Sequence, residues 1–381
     1  MGLTGIPFLV LVLALTVAAL LWGALRAPGR KGVRGVLGRL GVQLLTSALV
    51  VLSVATVLNR QNEWYVSWGD LFGSSPTPVV KADAGGVAPQ VALREQPTGS
   101  ALPTPLPTVH QFPPLPSPGQ RVQTFTVTGA ASGLTGKVMV SLPVGYEDPA
   151  NAGRSYPVIM AFHGYPGSPD VWMQGVNLVP SLDSLGGEGK IAPVIVVAPQ
   201  LEFPAGVDTE CVNGGTGQPQ VETWLAKDVP DALATHLRVA HDRTGWATLG
   251  FSSGGWCAAM MTMLHPELFG AGVVLGGYTQ PLFEKGYVPF RAGDAAWRRY
   301  HLVSLASSAP PPVALWLQTS KADSLSYSSS EALLHAARAP LSIQSEVEVS
   351  AGHRMTVWAG AVPTALTWLG STIPGFHASH V

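Results

Sequence analysis

Two uncharged, apolar runs lie near the start of the chain, over residues 6–23 and 40–59. Each is long enough to cross the hydrocarbon core of a bilayer as a helix. No basic residue precedes the first run. Five lie between the two runs: Arg26, Arg30, Lys31, Arg34 and Arg39. The positive-inside rule then predicts a transmembrane hairpin over residues 1–60, with its short loop in the cytoplasm and both chain ends outside.

A cleaved signal peptide is the alternative interpretation of the first run. In a signal peptide, however, the basic residues precede the apolar stretch, whereas here they follow it. The pattern therefore favours the hairpin.

The stretch that follows predicts a juxtamembrane segment and a linker over residues 61–120. From about residue 74 it is rich in Pro, Ala, Thr and Ser. Such a composition cannot bury a core and favours an extended, polyproline-like tether. The prolines are densest near its end: Pro103, Pro105, Pro107, Pro113, Pro114, Pro116 and Pro118. We therefore expect a spacer between the hairpin and a globular domain over residues 121–381.

From residue 121 the pattern becomes that of an α/β domain. Residues 122–128 and 137–142 alternate polar and apolar positions, which predicts an antiparallel hairpin. The later strand candidates are mostly continuously apolar: 158–162, 194–198, 246–249, 272–275, 313–317 and 344–349. Helical stretches separate several of them: about 221–238, 254–265, 328–338 and 357–369. Buried strands that alternate with helices predict a mostly parallel sheet covered on both faces, in an α/β-hydrolase fold.

Composition limits the partners. The 381 residues are 46% hydrophobic, which suits a membrane segment joined to one large domain. The 22 Lys and Arg residues balance 23 Asp and Glu residues, and this net charge of −1 gives no argument for a nucleic-acid partner. The two cysteines fit no zinc-ligand spacing. We expect the lipid bilayer as a partner and no zinc site.

The sequence Gly250-Phe251-Ser252-Ser253-Gly254 matches the G-x-S-x-G pattern of a nucleophile elbow. In that motif a strand turns sharply into a helix and the turn projects the serine hydroxyl. Residues without Cβ are needed two positions before and after the serine, because the turn crowds them together. A strand-like run precedes the motif and a helix-like run follows it, which favours an elbow over a Gly/Ser loop.

A serine nucleophile needs a base and an orienting acid, which follow it in α/β-hydrolases in the order acid, then His. His353 falls in a loop between the last predicted strand and the last helix, so we predict it as the base. His265 and His335 lie in predicted helices. Asp323 directly follows a buried strand, where functional groups gather, and is the predicted acid. Asp294 is the alternative.

The oxyanion hole is predicted in the loop after the first buried strand. In α/β-hydrolases a backbone N–H of such a loop and the N–H of the residue after the nucleophile together bind the developing oxyanion. His163-Gly164-Tyr165 occupies the position of that loop. Tyr165 and Ser253 are therefore the candidate donors. His163 is interpreted as a structural hydrogen-bonding residue rather than a base. An ordinary strand-to-loop turn is the alternative for this stretch.

These features together resemble the putative-esterase branch of the α/β-hydrolases, which includes esterase D and the mycobacterial mycolyltransferases. The resemblance covers residues 121–373 and rests on the Gly250–Cys257 stretch, His163-Gly164, Asp323 and Gly352-His353. The N-terminal hairpin and linker resemble membrane-anchored actinobacterial members. The resemblance implies acyl-ester chemistry without metal or cofactor. Secreted mycolyltransferases differ in having a glutamate as the acid and in lacking the hairpin.

The sequence thus predicts a serine esterase or acyltransferase that is anchored in the plasma membrane with its catalytic domain outside the cytoplasm. Ser252 would attack a small-molecule, lipid or glycan ester and form an acyl-enzyme. Water as acceptor gives an esterase, and an alcohol or sugar hydroxyl gives an acyltransferase. Two alternatives remain open: a cell-envelope protein that keeps the fold without the chemistry, and a serine peptidase.

The two cysteines predict a disulfide. Cys257 lies in the elbow helix, five residues beyond Ser252, and Cys211 lies in a Gly-rich loop after an earlier strand. In an α/β-hydrolase that loop can pass over the carboxyl edge of the sheet near the elbow helix, and an extracellular location permits oxidation. Two unpaired thiols are the alternative. A bond would place three acidic residues beside the substrate cleft: Glu202, Asp208 and Glu210.

Overall fold

The part of the chain that the computed structural model describes, residues 2–26, 32–73, 78–95, 106–283, 286–291 and 293–378, contains a nine-stranded sheet. The strands are β1 (Val79–Ala84), β2 (Val122–Thr128), β3 (Thr135–Ser141), β4 (Val158–Phe162), β5 (Ile195–Pro199), β6 (Trp246–Phe251), β7 (Ala271–Leu275), β8 (Ala314–Ser320) and β9 (Ser342–Glu348). Their order is β1-β9-β8-β7-β6-β4-β5-β3-β2. The pairs β2/β3 and β3/β5 are antiparallel. The pairs β4/β5, β4/β6, β6/β7 and β7/β8 are parallel. The predicted mostly parallel sheet is confirmed.

Helices follow most of the strands. They are α1 (Ile6–Arg26), α2 (Val33–Asn62), α3 (Trp68–Phe72), α4 (Pro89–Arg94), α5 (Asp170–Gln174), α6 (Leu178–Gly187), α7 (Val221–Thr223), α8 (Val229–His236), α9 (Ser253–Leu264), α10 (Ala295–Arg299), α11 (Leu302–Ser308), α12 (Ser324–Ala336) and α13 (Met355–Thr372). A π-helical turn, Trp224–Asp228, joins α7 to α8. The sequence does not predict α6, because one proline and two glycines in its ten residues argue against a helix.

Side chains of the central strands alternate between two apolar clusters. Along β4, Val158, Met160 and Phe162 belong to one cluster, and Ile159 and Ala161 belong to the other. All five are fully buried. A strand covered on both faces has no solvent-facing positions, which explains why these runs are continuously apolar in the sequence.

Part of the predicted linker belongs to the sheet. The strand β1 hydrogen-bonds beside β9 at the sheet edge, and α4 buries Ala92 and Leu93. The expectation of a spacer is therefore wrong for residues 79–94. The side chains of β1 are mostly exposed, so backbone pairing and a 2.8 Å ion pair between Lys81 and Glu346 hold this strand rather than apolar burial. Pro103 and Pro105 lie outside the described residues.

The chain divides into two compact units. The first comprises Met1–Pro78, Ser320–Asp323 and Glu348–Arg354, and the second comprises Val79–Thr319, Ser324–Val347 and Met355–Val381. In the first unit the Thr16 and Ser53 hydroxyls join α1 to α2 at 2.8 Å. Both helices are long and apolar enough to cross a membrane. The helix α2 begins at Val33, inside the predicted basic loop, whose Arg30 and Lys31 lie outside the described residues.

Candidate active site

Ser252 lies in the turn between β6 and α9. Its backbone has φ 56° and ψ −124°, a conformation that a non-glycine residue keeps only where the surrounding structure imposes it. The Ser252 N–H donates to the carbonyl of Leu275 at 2.9 Å, and the Ser252 carbonyl accepts from the N–H of Trp256 at 3.1 Å. A serine held at positive φ between a buried strand and a helix has the geometry of a nucleophile elbow.

Gly250 has the steric role that the spacing predicts, whereas Gly254 is crowded by the end of β4 rather than by Gly250. A Cβ on Gly250 would lie 1.9 Å from the carbonyl oxygen of Gly254. A Cβ on Gly254 would lie 2.1 Å from the carbonyl oxygen of Phe162. Both contacts are with backbone atoms and cannot relax by a rotamer change. The elbow therefore requires glycine at both positions.

The first unit contains the candidate acid and base as a hydrogen-bonded pair. His353 Nδ1 lies 2.7 Å from Asp323 Oδ2, and the two side chains are 19% and 7% exposed. Because a carboxylate only accepts hydrogen bonds, we assign the proton to Nδ1, which leaves Nε2 as the acceptor nitrogen. The alternative acid, Asp294, is exposed and accepts a hydrogen bond from the N–H of Arg291 at the start of α10.

The loop after β4 contains the candidate oxyanion donor Tyr165. The preceding His163 is buried, and its Nδ1 lies 2.9 Å from the Gly164 carbonyl. Burial lowers the pKa of this imidazole, so it is neutral and donates to the carbonyl. This is the geometry of a structural histidine. Ser253, the other candidate donor, is the first residue of α9, where an N–H has no acceptor within the helix.

A small cleft in the second unit is lined by the candidate oxyanion residues and by all three acidic residues of the loop after β5. Its lining includes Tyr165, Ser253, Glu202, Asp208, Glu210 and Cys257. The structure joins Cys211 to Cys257 in a disulfide with a Cα–Cα distance of 5.8 Å. The bond ties the acidic loop to α9. The Trp256 indole N–H adds a second tie, because it donates to the Glu210 carbonyl at 2.9 Å.

Glu210 is a buried carboxyl group in this lining. It is 2% exposed, and the Tyr278 hydroxyl donates to its Oε1 at 2.6 Å. Burial and the neighbouring Asp208 raise the pKa of Glu210 well above its usual range. Its place beside Cys211 follows from the sequence, whereas its raised pKa depends on burial and contacts that the sequence does not reveal.

The sequence also does not predict a buried ionic cluster around Glu222, which is 2% exposed. Its carboxylate lies 2.8 Å from His265 Nε2 and 2.5 Å from Arg299 Nη2, and it accepts from the Tyr300 hydroxyl. Burial acts to raise the pKa of Glu222, but the hydrogen bonds from His265 and Arg299 outweigh it and lower the pKa to about 2. This pairing accounts for His265 as a structural residue.

Among the described residues, no group of three or more His, Cys, Asp or Glu is placed to hold a metal ion.

The sheet, the elbow and the helices on both faces define an α/β-hydrolase. Residues 130–369 match the family described as "Putative esterase", and the chain belongs to that family.

Relatives have been found by sequence and by structure. An uncharacterized protein of Corynebacterium glutamicum is 29% identical over 141 residues, 37% of this chain and 32% of that protein. The MPT51 antigen of Mycobacterium leprae is 32% identical over 171 residues, 41% of this chain and 52% of that protein. The chain thus spans between about a third and about half of the length of these relatives. The S-formylglutathione hydrolase of Agrobacterium tumefaciens shares the fold, with TM-score 0.55 and 16% identity over 66% of this chain and 95% of that one.

Proposed function

We propose that this chain is a membrane-anchored, extracytoplasmic serine esterase or acyltransferase that uses Ser252, His353 and Asp323 as a catalytic triad. The observation that carries the proposal is the positive φ of Ser252 in a strand-to-helix turn. Strain of this kind persists where the structure must present a side chain in one orientation. The 2.7 Å pair of His353 and Asp323 supplies a base and an orienting acid in the order that the fold uses.

In the proposed mechanism Ser252 Oγ attacks the ester carbonyl while His353 Nε2 takes the hydroxyl proton. The C–O bond of the ester breaks, and His353 returns the proton to the departing alkoxide. Water or an acceptor hydroxyl then attacks the acyl-enzyme, again with His353 as base, and Ser252 is regenerated. Asp323 keeps Nδ1 protonated throughout and stabilises the imidazolium that forms.

The developing oxyanion would accept hydrogen bonds from the backbone N–H groups of Ser253 and Tyr165. The Ser253 N–H belongs to the first turn of α9, where the helix dipole also favours negative charge. The proposed substrate is a small-molecule, lipid or glycan ester.

A fluorophosphonate probe tests this proposal directly. The probe forms a covalent bond with an activated serine, so we expect it to label the full-length protein and to leave Ser252→Ala unlabelled. Labelling that persists in Ser252→Ala would contradict the assignment of the nucleophile. A native protein that takes up no probe would favour the fold without the chemistry. Turnover of peptides with little turnover of esters would favour a peptidase.

The membrane anchor is part of the proposal. Many apolar side chains of α1 and α2 are exposed, such as Leu25 at 77% and Leu44 at 70%, and a bilayer would cover them. The basic residues between the helices favour a cytoplasmic loop and an extracytoplasmic catalytic domain.

Protease added to intact cells is expected to digest or release the catalytic domain, while a cytoplasmic marker protein stays intact. A domain that is protected until the cells are lysed would reverse the topology. Catalytic domain recovered in the medium without added protease, and lacking α1, would favour a signal sequence.

A further inference from the structure

Within the first unit, the segment after α2 contacts the loop that carries His353. The backbone N–H of His353 donates to the carbonyl of Glu63 at 2.9 Å. The adjacent Gly352 packs against the same segment, since a Cβ on it would lie 2.0 Å from the Trp64 carbonyl oxygen. These contacts restrain the backbone of the loop at two consecutive residues.

Arg354 extends this contact through its side chain. Its guanidinium donates two hydrogen bonds to the Asp70 carboxylate, at 2.9 and 2.6 Å, and a third to the Trp64 carbonyl at 2.9 Å. It also lies 4.7 Å from the ring centroid of Tyr65. The Arg354 and Asp70 side chains are 19% and 5% exposed. A bidentate pair shielded from water fixes geometry in a way that a solvated ion pair does not.

The same segment is attached to the two apolar helices. The Asn59 side chain of α2 donates to the Tyr65 carbonyl and accepts from the Tyr65 N–H, both at 2.8 Å. In α3, Trp68 packs edge-on against Phe8 of α1 with ring centroids 5.5 Å apart. An unbroken set of contacts therefore leads from both helices of the hairpin to the His353 loop.

We propose that residues 63–70 position the catalytic base. These residues are the part of the predicted juxtamembrane segment that contacts the His353 loop. The hairpin is then part of the active-site scaffold as well as an anchor. This inference rests on the proposed function, because it assumes that His353 is the base. Asp70 and Arg354 are then positioning residues. Arg354 is the next residue after His353 in the chain, and Asp70 fixes the Arg354 guanidinium, so the pair restrains the backbone of His353. A base displaced by about 1 Å costs on the order of 10²-fold in rate, so small shifts of this loop have large effects.

Asp70→Asn in the full-length chain, purified in detergent, tests the inference. The amide keeps the shape of the carboxylate but removes the charge that holds Arg354. We expect kcat for p-nitrophenyl acetate to fall by about 10- to 100-fold, with KM changed by less than about twofold, because the base moves while substrate contacts remain. Rates are expressed per fluorophosphonate-reactive site, so a merely lower yield of folded protein would not change kcat.

Asp183→Asn is the matched control. Asp183 forms a bidentate pair with Arg121, at 2.7 and 2.9 Å, in which both side chains are about 40% exposed. We expect this variant to keep kcat within about twofold, since exposed pairs contribute little. If Asp70→Asn does not fold, Arg354→Lys decides the question, because lysine keeps the charge but cannot form the fork. A fall in kcat of about 10-fold or more is expected there.

The outcomes separate the two proposals. Full kcat in Asp70→Asn and Arg354→Lys, together with inactive Ser252→Ala and Asp323→Asn, would overturn the positioning role and leave the triad standing. Undiminished turnover in Ser252→Ala would overturn the triad, and with it the role of the juxtamembrane segment.

Discussion

Ser252→Ala is expected to lower kcat for a short p-nitrophenyl ester by about 10⁶-fold, and Asp323→Asn by about 10⁴-fold. The first change removes the atom that forms the acyl bond in the proposed mechanism. The second replaces an acceptor by a group that can donate to His353 Nδ1, which favours the wrong imidazole tautomer while the packing around it is kept. Initial rates of the full-length variants in detergent measure both effects.

The control for these variants is Ser328→Ala, which removes a hydroxyl from the exposed surface of α12. It is expected to keep native kcat and KM. Equal activity of Asp323→Asn and the native protein would show that this carboxylate does not orient the base. The activity of Asp294→Asn would then be measured. We expect this variant to keep native kcat, because Asp294 is exposed at the start of α10.

The sequence predicts features that depend on neighbouring residues. The elbow motif is encoded within five residues, and the structure shows part of the reason, since a Cβ on Gly250 would meet the Gly254 carbonyl within the same turn. The central strands are encoded by continuous apolar runs, because both faces of the sheet are covered. Chain order then suffices to propose Asp323 and His353 as partners.

Features that depend on distant pairs leave little trace in the sequence. The Asp70–Arg354 pair joins residues 284 positions apart, and neither residue belongs to a motif. The strand β1 is held by pairing at a sheet edge, so its exposed side chains do not mark it as a strand. Glu222 carries a charge in the core only because His265 and Arg299 reach it. Each case needs tertiary contacts that local patterns do not specify.

Replacing both cysteines by serine is expected to lower the free energy of unfolding of the second unit by about 4 kcal/mol. This figure is the chain-entropy estimate for a closed loop of the 46-residue separation between Cys211 and Cys257. The midpoint of thermal unfolding should fall by roughly 8–16 °C for a domain of this size. Circular dichroism in detergent, with and without a reductant, measures the change.

The reductant also supplies the control. If the loss of stability comes from the disulfide, the reduced native protein should unfold at the same midpoint temperature as the double variant. Two free thiols titrated in the unfolded, unreduced protein would exclude the bond.

The bond also restrains Glu210 and Cys211, which keep positive φ angles of 51° and 54° in the loop that lines the cleft. Without it these residues can relax to ordinary conformations and Glu210 can leave the lining. We therefore expect KM for the ester to rise in the double variant at temperatures where the protein remains folded. The value of kcat should change less, because the proposed triad of Ser252, His353 and Asp323 lies outside this loop.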